Sequence, residues 1–143
     1  MTDSMSPKLL RADSEQPPIR LLLDTSFCLA LIRNALSVSA ALFERYVPGE
    51  VAISSISVAA LQTRVKNSSD PARNQRALAQ FLMPLLVVDF DAADAQRLGQ
   101  ITAWWEDPSN ADATHVQLLA AQAICRNATL ATAQPALYAP VPD

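Results

Sequence analysis

Short apolar runs alternate along this chain with longer stretches spaced like helices. Leu21-Leu22-Leu23 and Val51-Ala52-Ile53-Ser54 read as strands, and Leu85 to Val88 is a continuous apolar run of the kind buried on both faces. Thr129-Leu130-Ala131-Thr132 supplies the last strand. After the first run, Ser26 is placed to cap a helix through Phe27, Leu29, Ala30 and Ile32, and a second helix is predicted from about Ser37 to Tyr46, stopped by Pro48-Gly49. Ser57 to about Lys66 reads as a helix with Val58, Leu61 and Val65 on one face. Asn67 to Asp70 is a polar break, and Asp70-Pro71 opens a helix running to about Met83, because proline suits the first helical turn. Asp91, followed by Asp94, opens a long helix through Ala95, Leu98, Ile101, Trp104 and Trp105; Thr114 is placed to cap the next, with Leu118, Leu119, Ala120, Ala121 and Ile124 as its apolar surface.

Strands alternating with helices in this way predict an α/β fold, a three-layer sandwich with a parallel sheet of four to five strands. Residues 1–18 are polar, carry Pro7, Pro17 and Pro18 and lack apolar periodicity, so they are expected to form a disordered tail ahead of one domain over 19–143.

At 143 residues, half of them hydrophobic, the chain suits one domain with a full core. No apolar run approaches the ~20 residues that span a bilayer, and no secretory core opens the chain, so a cytoplasmic protein without a membrane partner is expected. The net charge of −3 gives no general attraction to nucleic acid. With only Gly49 and Gly99, neither a P-loop nor a dinucleotide fingerprint can be drawn. Cys28 and Cys125 both fall in apolar helical segments and read as core thiols.

The chemically informative position is Asp24, where the first apolar run ends. In an open parallel sheet, ligands gather at the carboxyl ends of strands, so an acid there is a site candidate; the same acid also suits a helix cap. Glu106, Asp107 and Asp112, read as a loop before the last helix, are acids that would have to lean toward the sheet ends to join it. His115 is the only histidine, and no serine or cysteine stands at a recognisable nucleophile turn to pair with it. Trp104 and Trp105 lie about 100° apart on a helix, which places one in the core and one near the surface. Arg64, Lys66, Arg73 and Arg76 form the densest basic cluster, around the polar break at 67–70.

Four segments together resemble the PIN domain, specifically the small toxins of VapBC toxin–antitoxin pairs and related plasmid-stability proteins. Leu21 to Ser26 resembles the family's opening strand and Asp-Thr-Asn signature, and Ile53 to Leu61 resembles its strand–helix segment ending in Glu-Leu. Val87 to Asp91 with Ala95 resembles the middle strand and helix start; Leu118 to Ala123 with Thr129 to Thr132 resembles the final helix and strand. The resemblance implies RNA cleavage by Mg²⁺ or Mn²⁺ held between several carboxylates, an antitoxin-like protein partner and a homodimer.

Carried over residue by residue, the first acid of the family is matched by Asp24, and its asparagine two positions on by Ser26. The glutamate before leucine is replaced by Ala60, and the aspartate ahead of the Ile-Ala-Ala signature by Val116. The last strand keeps Thr132, while the next asparagine becomes Gln134 and the later aspartate Leu137. Two readings follow. In one, a reduced ribonuclease site works with Asp24 on the metal and Ser26 and Thr132 positioning water or metal. In the other, the fold is kept as a non-catalytic module that binds protein or RNA, with the helices over Ser26–Tyr46 and Ser57–Lys66 as its docking surface. A third class, α/β enzymes with an aspartate nucleophile after the first strand, is disfavoured because Ser26 replaces their second acid and no lysine follows Lys66.

Overall fold

The computed structural model describes residues 18–33, 41, 44–107 and 111–142. The tail and most of the helix expected over 37–46 lie outside these residues.

Among them, four strands form one parallel sheet in the order β3-β2-β1-β4: β1 (Leu21–Leu23), β2 (Val51–Ser54), β3 (Leu86–Val88) and β4 (Thr129–Ala131). The register sets Leu21, Leu22 and Leu23 opposite Val51, Ala52 and Ile53 on one side and Thr129, Leu130 and Ala131 on the other. Successive side chains of a strand point to opposite faces, so β1 feeds two cores at once. Leu21 and Leu23 pack with Cys28, Leu31, Ile53 and Leu61, the face covered by α1 (Thr25–Arg33), α2 (Ser55–Lys66) and α3 (Pro71–Leu82). Leu22 packs with Ala52, Val88 and Ala123, the face covered by α5 (Ala111–Cys125). A further apolar cluster of Ile101, Trp105, Val116 and Ala120 joins α5 to α4 (Ala92–Ile101) and its short 3₁₀ extension, Thr102–Trp104. The three-layer sandwich expected from the sequence is the architecture observed.

Helix starts are set by side-chain caps more than by apolar periodicity. The Ser54 hydroxyl accepts from the Ile56 N–H, which starts α2 two residues before the expected Ser57. Asp70 caps α3, with Pro71 in its first turn as expected. At α4, Asp91 and Asp94 form a reciprocal capping box. Asp94 is fully buried there and takes two further bonds from the Arg126 guanidinium, at 2.7 and 3.2 Å. Burial alone would raise the Asp94 carboxyl pKa, but the Arg126 bonds, the Asp91 N–H and the guanidinium charge outweigh it and hold the pKa below the usual carboxylate range. After α5 the chain turns through Asn127, at φ 50°, and the Ala128 N–H bonds back to the Ala123 carbonyl, which delivers the chain into β4.

Several expectations need correction. The third strand is an edge strand rather than one buried on both faces: Leu86 and Val87 are 39% and 45% exposed, and only Val88 is buried. An apolar run cannot reveal which strands will flank it. The helix expected to continue through Trp105 tightens to 3₁₀ after Ile101; Trp105 is buried and Trp104 exposed, as their angular separation requires. Helix α5 begins by Ala111, so Asp112 belongs to its first turn and Thr114 follows within the helix instead of capping it. Cys125 is exposed, not a core thiol: it is the last residue of α5, and its thiol reaches the Ala93 carbonyl in the first turn of α4.

The two thiols differ in a way that labelling can read. Burial, reinforced by the Asp24 charge, pushes the Cys28 thiol up to about 12, so at neutral pH it is protonated and enclosed. A thiol reagent is expected to modify Cys125 alone in the native protein, faster as pH rises, and Cys28 only after unfolding; mass spectrometry of the labelled peptides checks this.

Candidate functional site

The carboxyl end of β1 meets the carboxyl end of β4 at Asp24. Its N–H donates to the Ala131 carbonyl, extending the ladder by one bond, and its carbonyl accepts from the Cys28 N–H as α1 begins. Asp24 as a whole is 4% exposed. Oδ1 accepts from the Ser26 hydroxyl at 2.7 Å and from the Phe27 N–H at 2.8 Å, which makes Asp24, rather than Ser26, the cap of α1. Oδ2 accepts from the Tyr138 hydroxyl at 3.1 Å. Burial, then the Asp24 charge and hydrogen bond, hold the Tyr138 phenol protonated far above its ordinary range, so it serves as a donor.

Ser26 and Thr132 meet beside Asp24. Their hydroxyl oxygens lie 3.3 Å apart, and Ser26 Oγ accepts from the Ala133 N–H. Thr132 Oγ1 accepts from the Gln134 N–H, an ST-turn that carries the chain into the 3₁₀ segment Pro135–Tyr138. That segment brings Leu137 and Tyr138 over the sheet end.

These residues line a cleft of about 760 Å³ that also takes in Thr25, Arg33, Ala60, Arg64, His115, Val116 and Leu137. The sequence positions at which the resemblance places further acids, Ala60, Val116 and Leu137, thus converge on the same space as Asp24 and bring methyl and isobutyl groups to it. Thr25 donates its hydroxyl proton to Ser57 Oγ at 3.0 Å, and His115 Nε2 lies 3.0 Å from Thr25 Oγ1. A hydroxyl has one proton, so His115 Nε2 is the donor in the second bond and does not act as a base toward Thr25. Arg33 and Arg64 stand at the last turns of α1 and α2, and among the described residues neither has an ion-pair partner.

A hard divalent cation needs several oxygen ligands with negative charge among them. The one carboxylate in this cleft has both oxygens committed to in-chain donors, the neighbouring walls are apolar, and the free charges are cationic. Among the described residues no three His, Cys, Asp or Glu side chains are grouped to hold a metal. Glu106 and Asp107 do not line the cleft. Asp112 stands one helical turn ahead of Val116 on α5. The residues present do not fit the metal that the resemblance implies.

Tyr138, Arg33 and Arg64 were not singled out for this site by the sequence. Tyr138 sits in a Pro/Ala-rich end without periodicity, and Arg64 reads as part of a basic cluster around the 67–70 break. Only the packing of α1 beside α2 shows that the last turns of both helices face one cleft.

A parallel sheet of order 3-2-1-4 with its cleft at the carboxyl ends is the PIN-like α/β architecture to which the sequence resemblance pointed. The chain belongs to the PIN domain family, whose model matches residues 21–138. Within that family it is similar to the VapC proteins of toxin–antitoxin pairs. It is 33% identical over 87 residues to the tRNA(fMet)-specific endonuclease VapC of Shigella flexneri; the match covers 59% of this chain and 64% of that relative, just under two thirds of its length. Among solved structures, DNA-bound VapBC from Salmonella typhimurium aligns at a TM-score of 0.75 with 26% identity, covering 84% of this chain and 90% of that one. VapBC2 from Rickettsia felis, bound to a promoter DNA fragment, aligns at 0.67 with 30% identity, covering 78% and 85%. FitAcB from Neisseria gonorrhoeae, at 20% identity and a TM-score of 0.66 over 84% of this chain and 91% of that one, shares the fold. No helix among the described residues is long and apolar enough to cross a membrane.

Proposed function

We propose that this chain is a cytoplasmic VapC-type PIN protein, folded as one domain from residue 19 onward, that keeps the fold to bind an antitoxin-like protein and has lost metal-dependent RNA cleavage. The observation that carries this reading is the convergence of Ala60, Val116 and Leu137 on the cleft of Asp24. Three positions expected to bear acids are apolar together, and the remaining carboxylate is fully hydrogen-bonded within the chain. In this reading Asp24, Ser26, Thr132 and Tyr138 form a structural clasp. It ties the start of α1 to the end of β4 and to the C-terminal 3₁₀ segment.

The competing reading keeps Asp24 on Mg²⁺ or Mn²⁺ with Ser26 and Thr132 positioning water. Cleavage of a mixed RNA with Mg²⁺ or Mn²⁺, measured for the native chain and for Asp24→Asn, separates the two. Neither protein is expected to cut. Asp24→Asn is expected to lose about 1–2 kcal/mol of stability in urea unfolding, because an amide NH₂ replaces one acceptor oxygen among three donors. Cleavage by the native chain that disappears in Asp24→Asn would overturn the proposal. A homodimer is not required by it and enters only as the assembly state to be measured alongside.

A further inference from the structure

Among the described residues the sheet ends at β3 on one side and at β4 on the other. On β4 the Thr129 N–H bonds to the Arg20 carbonyl and the Ala131 carbonyl accepts from the Asp24 N–H, so the backbone groups of these two residues turn toward β1. The N–H and C=O of a strand residue share one side, and the side alternates along the chain, so those of Leu130 turn outward. Among the described residues no hydrogen bond reaches them. The chain's own candidate to pair there is the segment 135–142, and it is spent. Its Leu137, Ala139 and Val141 N–H groups bond to carbonyls three residues back, and Pro135, Pro140 and Pro142 have no N–H. Between that segment and the edge lies a cavity of about 410 Å³, walled by Ala120, Ala123 and Ile124 of α5, Leu130 of β4, and Tyr138 and Val141 of the segment. None of its lining side chains is charged. Open edges are commonly guarded by charge, yet no charged residue occurs from Asn127 to Pro142.

We infer that β4 is a strand-addition site: it takes an extended segment of another protein, whose backbone pairs with Leu130 and whose uncharged aliphatic side chains on one face enter the cavity. The two features select the occupant together. Outward backbone groups ask for an extended main chain, which a small apolar molecule lacks. A neutral cavity rejects charged side chains, whose burial without a partner is costly. Strand side chains alternate, so the segment is aliphatic at every second position and polar between. A second copy of this chain would have to offer its own β3 or β4. Pairing β3 on β4 leaves a free edge at each end and grows without closing, whereas β4 on β4 closes across a two-fold axis. The site shares no lining residue with α1 or α2, so it goes beyond the antitoxin-binding reading.

The test is selection of displayed random short peptides on the full chain, followed by synthesis of the selected peptides and of copies N-methylated at one backbone nitrogen at a time. Selected peptides are expected to carry Val, Ile or Leu at alternate positions, and their binding should slow amide exchange at Leu130. Affinity should fall by about tenfold or more for N-methylation at every second residue and change little in between. Aspartate in place of the aliphatic residues should abolish binding. All these changes are made in the peptide, so no folding defect of the protein can imitate the pattern. Peptides whose affinity ignores the alternation, or that protect α1 and α2 instead of Leu130, would overturn the inference. Failure to select any peptide on folded protein would do the same. A chain that sediments as a dimer with the Leu130 amide already protected would give the edge to a second copy and overturn it as well.

Discussion

Arg126→Ala is expected to destabilise the chain by about 3–5 kcal/mol, a large share of what holds a small domain together. The reason is what it leaves behind. Asp94 is fully buried in the capping box of α4, and Arg126 supplies its charge partner through two bonds while also bonding the Gln122 carbonyl on α5. Without the guanidinium, the carboxylate would sit buried with the Asp91 N–H and the Cys125 thiol as its neutral donors, which favours its protonated form. The pH dependence follows from the lowered Asp94 pKa. Its stabilisation is present above the unfolded carboxyl pKa, near ~4, and is lost as pH falls through the lower folded value. Urea unfolding across acidic pH should show the native chain losing stability more steeply than Arg126→Ala. Equal midpoints for the two proteins at neutral pH would show that the pair contributes nothing.

Restoring acids to the cleft is expected to produce the second large effect. Val116 is 3% exposed and belongs to the cluster that joins α4 to α5, so Val116→Asp, combined with Ala60→Glu, places charge in apolar surroundings and beside the Asp24 carboxylate. Desolvation and like-charge repulsion should together cost about 3 kcal/mol or more in chelator. Mn²⁺ should then return part of that loss to the double variant, by roughly 2.7 kcal/mol at a hundredfold excess over its Kd, and leave the native melting temperature unmoved. Thermal melts with and without Mn²⁺ decide the matter. A native chain that is stabilised by Mn²⁺ as strongly as the variant would mean that its own cleft holds the ion.

Much of the architecture was legible because it rests on local patterns. The apolar runs at Leu21 and Val51, the Asp70-Pro71 start and the Asp91/Asp94 pair each correspond to an element with the expected role. What the pattern could not supply was neighbourhood. Leu86 and Val87 are as apolar as Leu21 and Leu22, yet they lie at an edge because strand order depends on crossovers between elements far apart in sequence. Similarly, Ser26 and Asp24 are both capable caps, and the choice of Asp24 follows from the Ala131 ladder bond that fixes where the strand stops. Asp24, Ser26 and Thr132 adjoin strand ends and so carry a positional signal that made them candidates in the sequence, and the fold brings the three into contact. Tyr138, Arg33 and Arg64 were not candidates, since a side chain in a structureless terminus or a helix's last turn acquires its role only through packing.

The exposed edge at Leu86–Val88 has a consequence for handling concentrated protein. Among the described residues that strand pairs with another strand on one side only and carries exposed aliphatic side chains, the arrangement on which chains template one another into extended sheets. The hazard is kept small by brevity and by charge: the strand is three residues long, and Asp89 and Asp91 follow it immediately. Those two aspartates act as gatekeepers, so exchanging Asp89 for an apolar residue should let concentrated protein cloud from this edge before any other part of the sheet.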